Sequence, residues 1–429
     1  MVCRRLFLLL FAGLIVAPFS GGARAAAGGD GLSVGPDDWP WWRGADRNGV
    51  AASGQSLPSE WGEEKNVLWK VEVPGRGYSS PTVVGDRIYL TTSDEAAEIQ
   101  SVLSFDRQSG ALQWKTDVHQ GGFASEGRQG HVRSSKASCT VACDGERVFA
   151  SFINDNAVHL TALDLNGAQL WQRKVSDYVM HQGYGASPAL YGPLVMVSVD
   201  HHGGGVISAY DRVSGDLVWS QPRPKNPNYT SPMILNVAGR DQAILVGCDM
   251  VASYDPMSGA VNWETPGATT ECVTSTVTDG SVVVTSGGYP SKHISVLRGD
   301  GSGEQLWRNE TMVYVPSMIL HDGHLYSVDD NGDARCYRLE TGELVWEHRL
   351  RAKFGASLVM ADGQIYATAD DGTTFVFAAR PDAFTPVAEN RIAADEVQAT
   401  LAICGNRIYM RVTQGRGEER REMLYCIGE

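Results

Sequence analysis

The sequence predicts an all-β fold: an eight-bladed β-propeller of four-stranded antiparallel blades whose ring is closed by an N-terminal strand. Three observations carry this. A hairpin unit recurs eight times along the 429 residues, a second unit ending in tryptophan recurs six times between the hairpins, and helical periodicity is nearly absent. A four-stranded unit of roughly 45 residues, repeated eight times, is what stacked blades require, because one blade alone cannot bury both of its faces.

Each hairpin reads apolar strand, Asp/Asn/Gly turn, apolar strand. The eight begin at Ser79, Ala137, Ala186, Thr230, Ser275, Pro316, Ala356 and Ala399, with starts 40 to 58 residues apart. Their strands are apolar on both faces, as sheets sandwiched between sheets must be. The second unit is "AYDRVSGDLVWS" at residues 209–220, with relatives ending at Trp114, Trp171, Trp263, Trp307 and Trp346. Here Asp211 can accept bonds from turn amides, Gly215 can take a positive φ, and Trp219 can bury a flat face against the next blade. The unit reads as a structural clasp.

Ring closure is legible at the ends. The last hairpin is followed by "REMLYCI" (421–427) and then no tryptophan strand, whereas "NVLWKVEV" (66–73), carrying Trp69, precedes the first hairpin. That strand is expected to complete the last blade and leave no open edge. Blade seven, "FVFAARPDAFTPVAENRI", has no tryptophan, and its Pro381 and Pro386 predict an irregular outer strand. The expected division is a signal peptide at 1–25, a leader at 26–65 and the propeller at 66–429.

The signal reading rests on Arg4 and Arg5, an apolar run from Leu6 to Phe19, and the small-residue end Ala23-Arg24-Ala25. The 14-residue run is too short to span a bilayer comfortably. No other segment reads as membrane-spanning, so a periplasmic or secreted location is expected, by either the general or the twin-arginine route. Cleavage removes three arginines and takes the formal charge from −14 to −17. Such a surface repels phosphate backbones, which excludes nucleic acid as a partner. Seven cysteines remain after cleavage, an odd number in an oxidising compartment. They are expected to act as small buried hydrophobes.

Several polar clusters have a plain reading. "DHHGGG" at 200–205 offers His201 and His202 as metal ligands, but its place after a blade's second strand favours a flexible loop over that alternative. "DDNGD" at 329–333 lacks the full calcium-loop spacing and reads as an Asn-Gly turn. "HDGH" at 321–324 reads as a solvated hairpin turn. No strand-to-helix context accompanies a G-x-S-x-G pattern. No metal site is expected, and no catalytic residue is assigned.

The connections between successive blades are less repetitive, and they reach one end of the central channel. They carry Tyr78, His131, Arg133, Lys136, His181, Tyr184, Tyr229, Tyr314, Lys353 and Phe354. Aromatic and cationic residues facing one funnel would seat an anionic or extended polar ligand, or an envelope protein. Packing beneath a neighbouring blade is the alternative for each aromatic.

The Asp-x-x-x-Gly-x-x-x-Trp spacing, complete in the copies at Trp114, Trp219 and Trp263, resembles the tryptophan-docking repeat of the quinoprotein (PQQ-like) eight-bladed propellers. The leader "DWPWWRGADRNGVA" resembles the N-terminal segment of exported members. The docking tryptophans on this pattern are Trp69, Trp114, Trp171, Trp219, Trp263, Trp307 and Trp346. The resemblance implies one of two functions. One is a non-catalytic interaction scaffold, as in the propeller subunit of the outer-membrane assembly machinery. The other is a PQQ-dependent dehydrogenase of the alcohol or sugar type, with PQQ and Ca²⁺. That branch commonly has adjacent cysteines above the cofactor, and this sequence has none. The scaffold is the expected function, with no cofactor.

Overall fold

Burial sorts the strands of each repeat. In the third blade Leu194–Val199 is buried at every position, whereas the outer strand Leu217–Pro222 buries little beyond Trp219. Central strands face a neighbouring blade on both sides, and outer strands face water. The computed structural model describes residues 32–123, 131 and 133–429, so the predicted signal segment lies outside the described residues.

Eight sheets follow in order around the ring. Seven are formed consecutively, at 82–120, 142–177, 189–222, 233–266, 282–309, 319–349 and 359–391. The eighth combines 402–427 with Val67–Val73, which pairs antiparallel to Arg421–Ile427, Val71 opposite Leu424. The first strand therefore closes the ring. Blade 5 differs from its expectation: only three strands form a sheet, and its inner segment is reduced to a bridge between Val277 and Val284. Thr278 and Asp279 hold that segment instead, Thr278 Oγ1 donating to Val282 O and Asp279 Oδ1 accepting from the amides of Ser281 and Val282.

The clasp is explicit in the geometry. Asp211 Oδ1 accepts from the amides of Val213 and Ser214, fixing the turn. Gly215 adopts φ +71°, and a Cβ there would lie 2.5 Å from the Trp171 ring of the preceding blade. Trp171 Nε1 donates to Arg212 O in the same turn at 3.1 Å. Trp114, Trp219, Trp307 and Trp346 donate equivalently to Leu165, Pro256, Leu339 and Arg380 carbonyls. Trp263 departs from this, donating to Gln242 Oε1 within its own blade.

Blade 7 corrects a second expectation. Its outer strand Pro386–Arg391 is regular, with the same one-residue shift seen beside the other clasps. Pro386 is its first residue, where a missing amide hydrogen costs no ladder bond. Ala388 stands opposite Val376, the register position that Trp346 holds opposite Cys336. The vacant ring position is filled from the leader. Trp61, 5% exposed, stacks on Tyr366 with centroids 6.2 Å apart, and its amide donates to Asn390 Oδ1. In blades 1, 6 and 8 the blade's own tryptophan lies 6.0 to 6.2 Å from the corresponding tyrosine.

At the axis a ring of buried hydroxyls links the blades. The amides of Ser80, Thr140 and Ser187 donate to the hydroxyls of Thr140, Ser187 and Ser231 in turn. Ser275, Ser317, Ser357 and Thr400 continue the pattern, and Thr400 N closes it onto Ser80 Oγ at 2.9 Å. Only the step from Ser231 to Ser275 lacks such a bond among the described residues; there Trp42 Nε1 donates to Ser275 Oγ at 2.7 Å.

The leader runs across the face carrying the hairpin turns. Its contacts include Ser33 with Asp144, Trp39 with Val83, Gly54 with Asp362 and Ser56 with Asn406. Arg43 is 1% exposed and donates to the carbonyls of Asn48, Met318 and Leu358. Burial without a carboxylate partner pushes its guanidinium down to about 9. Trp42 and Arg43 together tie this end of the axis to the inner wall. The seven described cysteines are free and buried.

Candidate functional site

At the opposite face the blade-to-blade connections surround a pit of about 670 Å³. Its inner wall carries six members of the hydroxyl ring, among them Ser80, Thr140 and Thr400, with Trp42 also in the lining. The rim comes from the less repetitive connections.

Eight of the ten residues singled out in the sequence line this pit: Tyr78, His131, Arg133, His181, Tyr184, Tyr229, Tyr314 and Lys353. Two do not. Phe354 is fully buried and packs on Phe375 in the interblade core. The Lys136 ammonium lies over the Phe123 ring at 5.6 Å, beside a separate small cavity of about 30 Å³. Tyr184 borders the pit but is 6% exposed, its hydroxyl donating to Ser198 O.

Three of the charged groups in the lining, Arg133, Asp330 and Glu271, have partners within the wall. Arg133 reaches the far wall: its guanidinium meets Asp330 at 3.3 Å and Asp370 at 3.5 Å, and donates to Phe354 O. Asp330 also accepts from the amides of Tyr314 and Val315. Burial lifts both carboxyls above their ordinary range, against the pull of Arg133. His181 Nε2 lies 3.2 Å from Glu271 Oε1. Tyr78 donates to Glu396 Oε1 and lies between Arg76 and Arg420. Among the described residues the lining has two cations, Arg133 and Lys353, and two carboxylates, Glu271 and Asp330. Among the described residues the lining therefore carries no excess of positive charge.

Sequence reasoning missed Glu271, Asp330, Tyr289 and the hydroxyl ring. The ring had a signal, a Ser or Thr just before each inner strand. Asp330 was hidden in the "DDNGD" turn, where Asp329 caps the turn by accepting from Asn331 and Asp333 amides while Asp330 turns to the pit. At "DHHGGG", His201 is buried and accepts the amides of Val179 and Gly203, and the His202 ring lies 4.9 Å from that of His181.

No grouping of three His, Cys, Asp or Glu able to hold a metal ion exists among the described residues. The two lining carboxylates already have partners within the wall.

Comparison with known proteins agrees with this architecture. The family model described as outer membrane protein assembly factor BamB matches residues 45–179, 98–298 and 292–381. A polyvinylalcohol dehydrogenase of Pseudomonas sp is 24% identical over 253 residues, which is 55% of this chain but only 37% of that protein. The assembly factor BamB of Bordetella pertussis is 23% identical over 67% of this chain and 69% of its own length. Among solved structures, BamB from Moraxella catarrhalis superposes with TM-score 0.58 at 14% identity, covering 83% of this chain and 96% of that one. A europium-containing methanol dehydrogenase gives TM-score 0.66 at 11% identity, over 93% of this chain and 99% of that one. The structural likenesses speak to fold alone, but the family model spans most of the sequence, and on that ground the chain belongs to the PQQ-like repeat propellers described as outer membrane protein assembly factor BamB.

Proposed function

We propose that the protein is an exported binding module of the cell envelope, holding a protein partner at the open face of the propeller and catalysing no reaction itself. The observation that supports this is the engagement of Arg133, Asp330 and Glu271 within the pit wall: Arg133 bridges two aspartates and Glu271 meets His181. Relatives described as outer-membrane assembly factors make that machinery the first partner to test. The signal reading of residues 1–25 supports export, and no helix among the described residues is long and apolar enough to cross a membrane.

A photo-crosslinking residue at Tyr289, 58% exposed on the pit rim, tests this in intact cells against a control at Val213, 64% exposed on an outer turn. Crosslinks from Tyr289 alone to a component of that machinery are expected. No crosslink from Tyr289 in folded, exported protein overturns the reading. A PQQ-dependent oxidoreductase is the second reading, favoured by the volume of the pit and the similarity to a polyvinylalcohol dehydrogenase.

A further inference from the structure

Glu271 is set among tyrosines in one sector of the pit. Tyr229 N donates to Cys272 O at 3.1 Å, which places Tyr229 beside it. Glu271 N donates to Tyr289 O at 3.0 Å, and Tyr314 packs on the backbone of Gly288, where a Cβ would lie 2.7 Å from it. All three tyrosines line the same cavity. Glu271 is 5% exposed, its Oε1 meets His181, and its Oε2 makes no hydrogen bond among the described residues. The Tyr229 hydroxyl is also buried, beside the backbone of Gln182. Burial and then the Glu271 charge push Tyr229 and Tyr314 up, so both phenols stay neutral and feel that charge.

Aromatic faces grouped with a carboxylate are the chemistry that recognises an organic cation, since the rings offer negative quadrupole faces and the carboxylate supplies the counter-charge. We infer that this sector is a subsite for an alkylammonium group, held by Glu271 and faced by Tyr229, Tyr289 and Tyr314. A metal ion is a poorer occupant, because among the described residues Glu271 and His181 belong to no group of three side chains able to hold one. An inorganic anion would meet the Glu271 charge. Arg133 does not compete for the site, being held by Asp330 and Asp370. The subsite shares the pit with the reading above but does not require the partner to be a protein.

The test is calorimetric titration of the purified mature chain with choline, with Nα-acetyl-lysine amide, and with 3,3-dimethyl-1-butanol, which has the shape of choline without its charge. Both cations are expected to bind saturably and the neutral alcohol not at all. Glu271→Gln and Tyr289→Ala should each weaken choline binding about tenfold. Tyr289 is exposed, so its variant keeps the test informative if Glu271→Gln fails to fold. Equal binding of the neutral alcohol, unchanged affinity in a folded Glu271→Gln or Tyr289→Ala variant, or no binding of either cation overturns the inference. A missing crosslink in cells would not touch this result, nor would a missing titration signal touch the crosslink.

Discussion

Replacing Trp61 with alanine tests whether the leader supplies the clasp that blade 7 lacks. Trp61 is 5% exposed and lies 6.2 Å from Tyr366, much as Trp346 lies 6.1 Å from Tyr326 in blade 6. Truncating a buried tryptophan costs about 3–5 kcal/mol, from lost burial plus the residual cavity. A peripheral leader residue would cost at most about 0.5 kcal/mol. Urea denaturation followed by near-ultraviolet circular dichroism reads the difference, with Trp346→Ala as the benchmark. The register adds a sharper arm. Ala388→Trp should destabilise the native chain by overpacking, about 1–3 kcal/mol, yet restore stability when Trp61 is alanine. A Trp61→Ala cost below about 1 kcal/mol refutes the reasoning, as does Ala388→Trp being equally harmful in both backgrounds.

Three further outcomes follow from the same geometry. Gly215→Ala should cost about 2 kcal/mol or more in urea melts, because φ +71° and a Cβ 2.5 Å from Trp171 act together; Gly239→Ala, at φ +77° with open space, should cost only about 1 kcal/mol. Ser357→Ala should cost about 1–2 kcal/mol by orphaning the buried Ser317 amide, whereas Ser357→Thr, matching Thr140 and Thr400 in the ring, should melt near the native temperature. Burial, with Arg308 adding to it, pushes the fully buried His293 from 6.5 down to about 4. The unfolded chain therefore takes up that proton first as pH falls. The His293 contribution is fully present above pH 6.5 and declines toward pH 4, by up to about 3 kcal/mol. Urea midpoints at pH 7 and 4.5 should differ less in His293→Gln than in the native chain.

The blades were legible because each repeats its own chemistry: two apolar strands, an Asp-capped turn, a Trp. Ring closure was legible because Trp69 had no other use at the front of the chain. The leader's part was not, since Trp61 completes a blade more than 300 residues away, a partnership that local spacing does not encode. The blade 5 inner strand was misjudged because "STVTDG" has strand composition, while its Thr and Asp side chains bond locally and compete with the ladder. In the site, residue type located the connections but not the direction of each side chain. Phe354 turns into the core and Lys136 toward Phe123 from stretches that otherwise read as rim. The charge balance was hidden for a similar reason. Arg133 is separated by 197 residues from Asp330, so the sequence displays the cation without the carboxylate that neutralises it.

The proposal that this PQQ-like repeat propeller uses its pit for binding instead of redox chemistry is tested most directly by titrating purified mature protein with PQQ and Ca²⁺. Absorbance and dye-coupled oxidation of alcohols and polyvinyl alcohol are followed together. The account predicts no saturable spectral change and no dye reduction above that of the cofactor alone. Saturable binding accompanied by substrate-dependent dye reduction contradicts it.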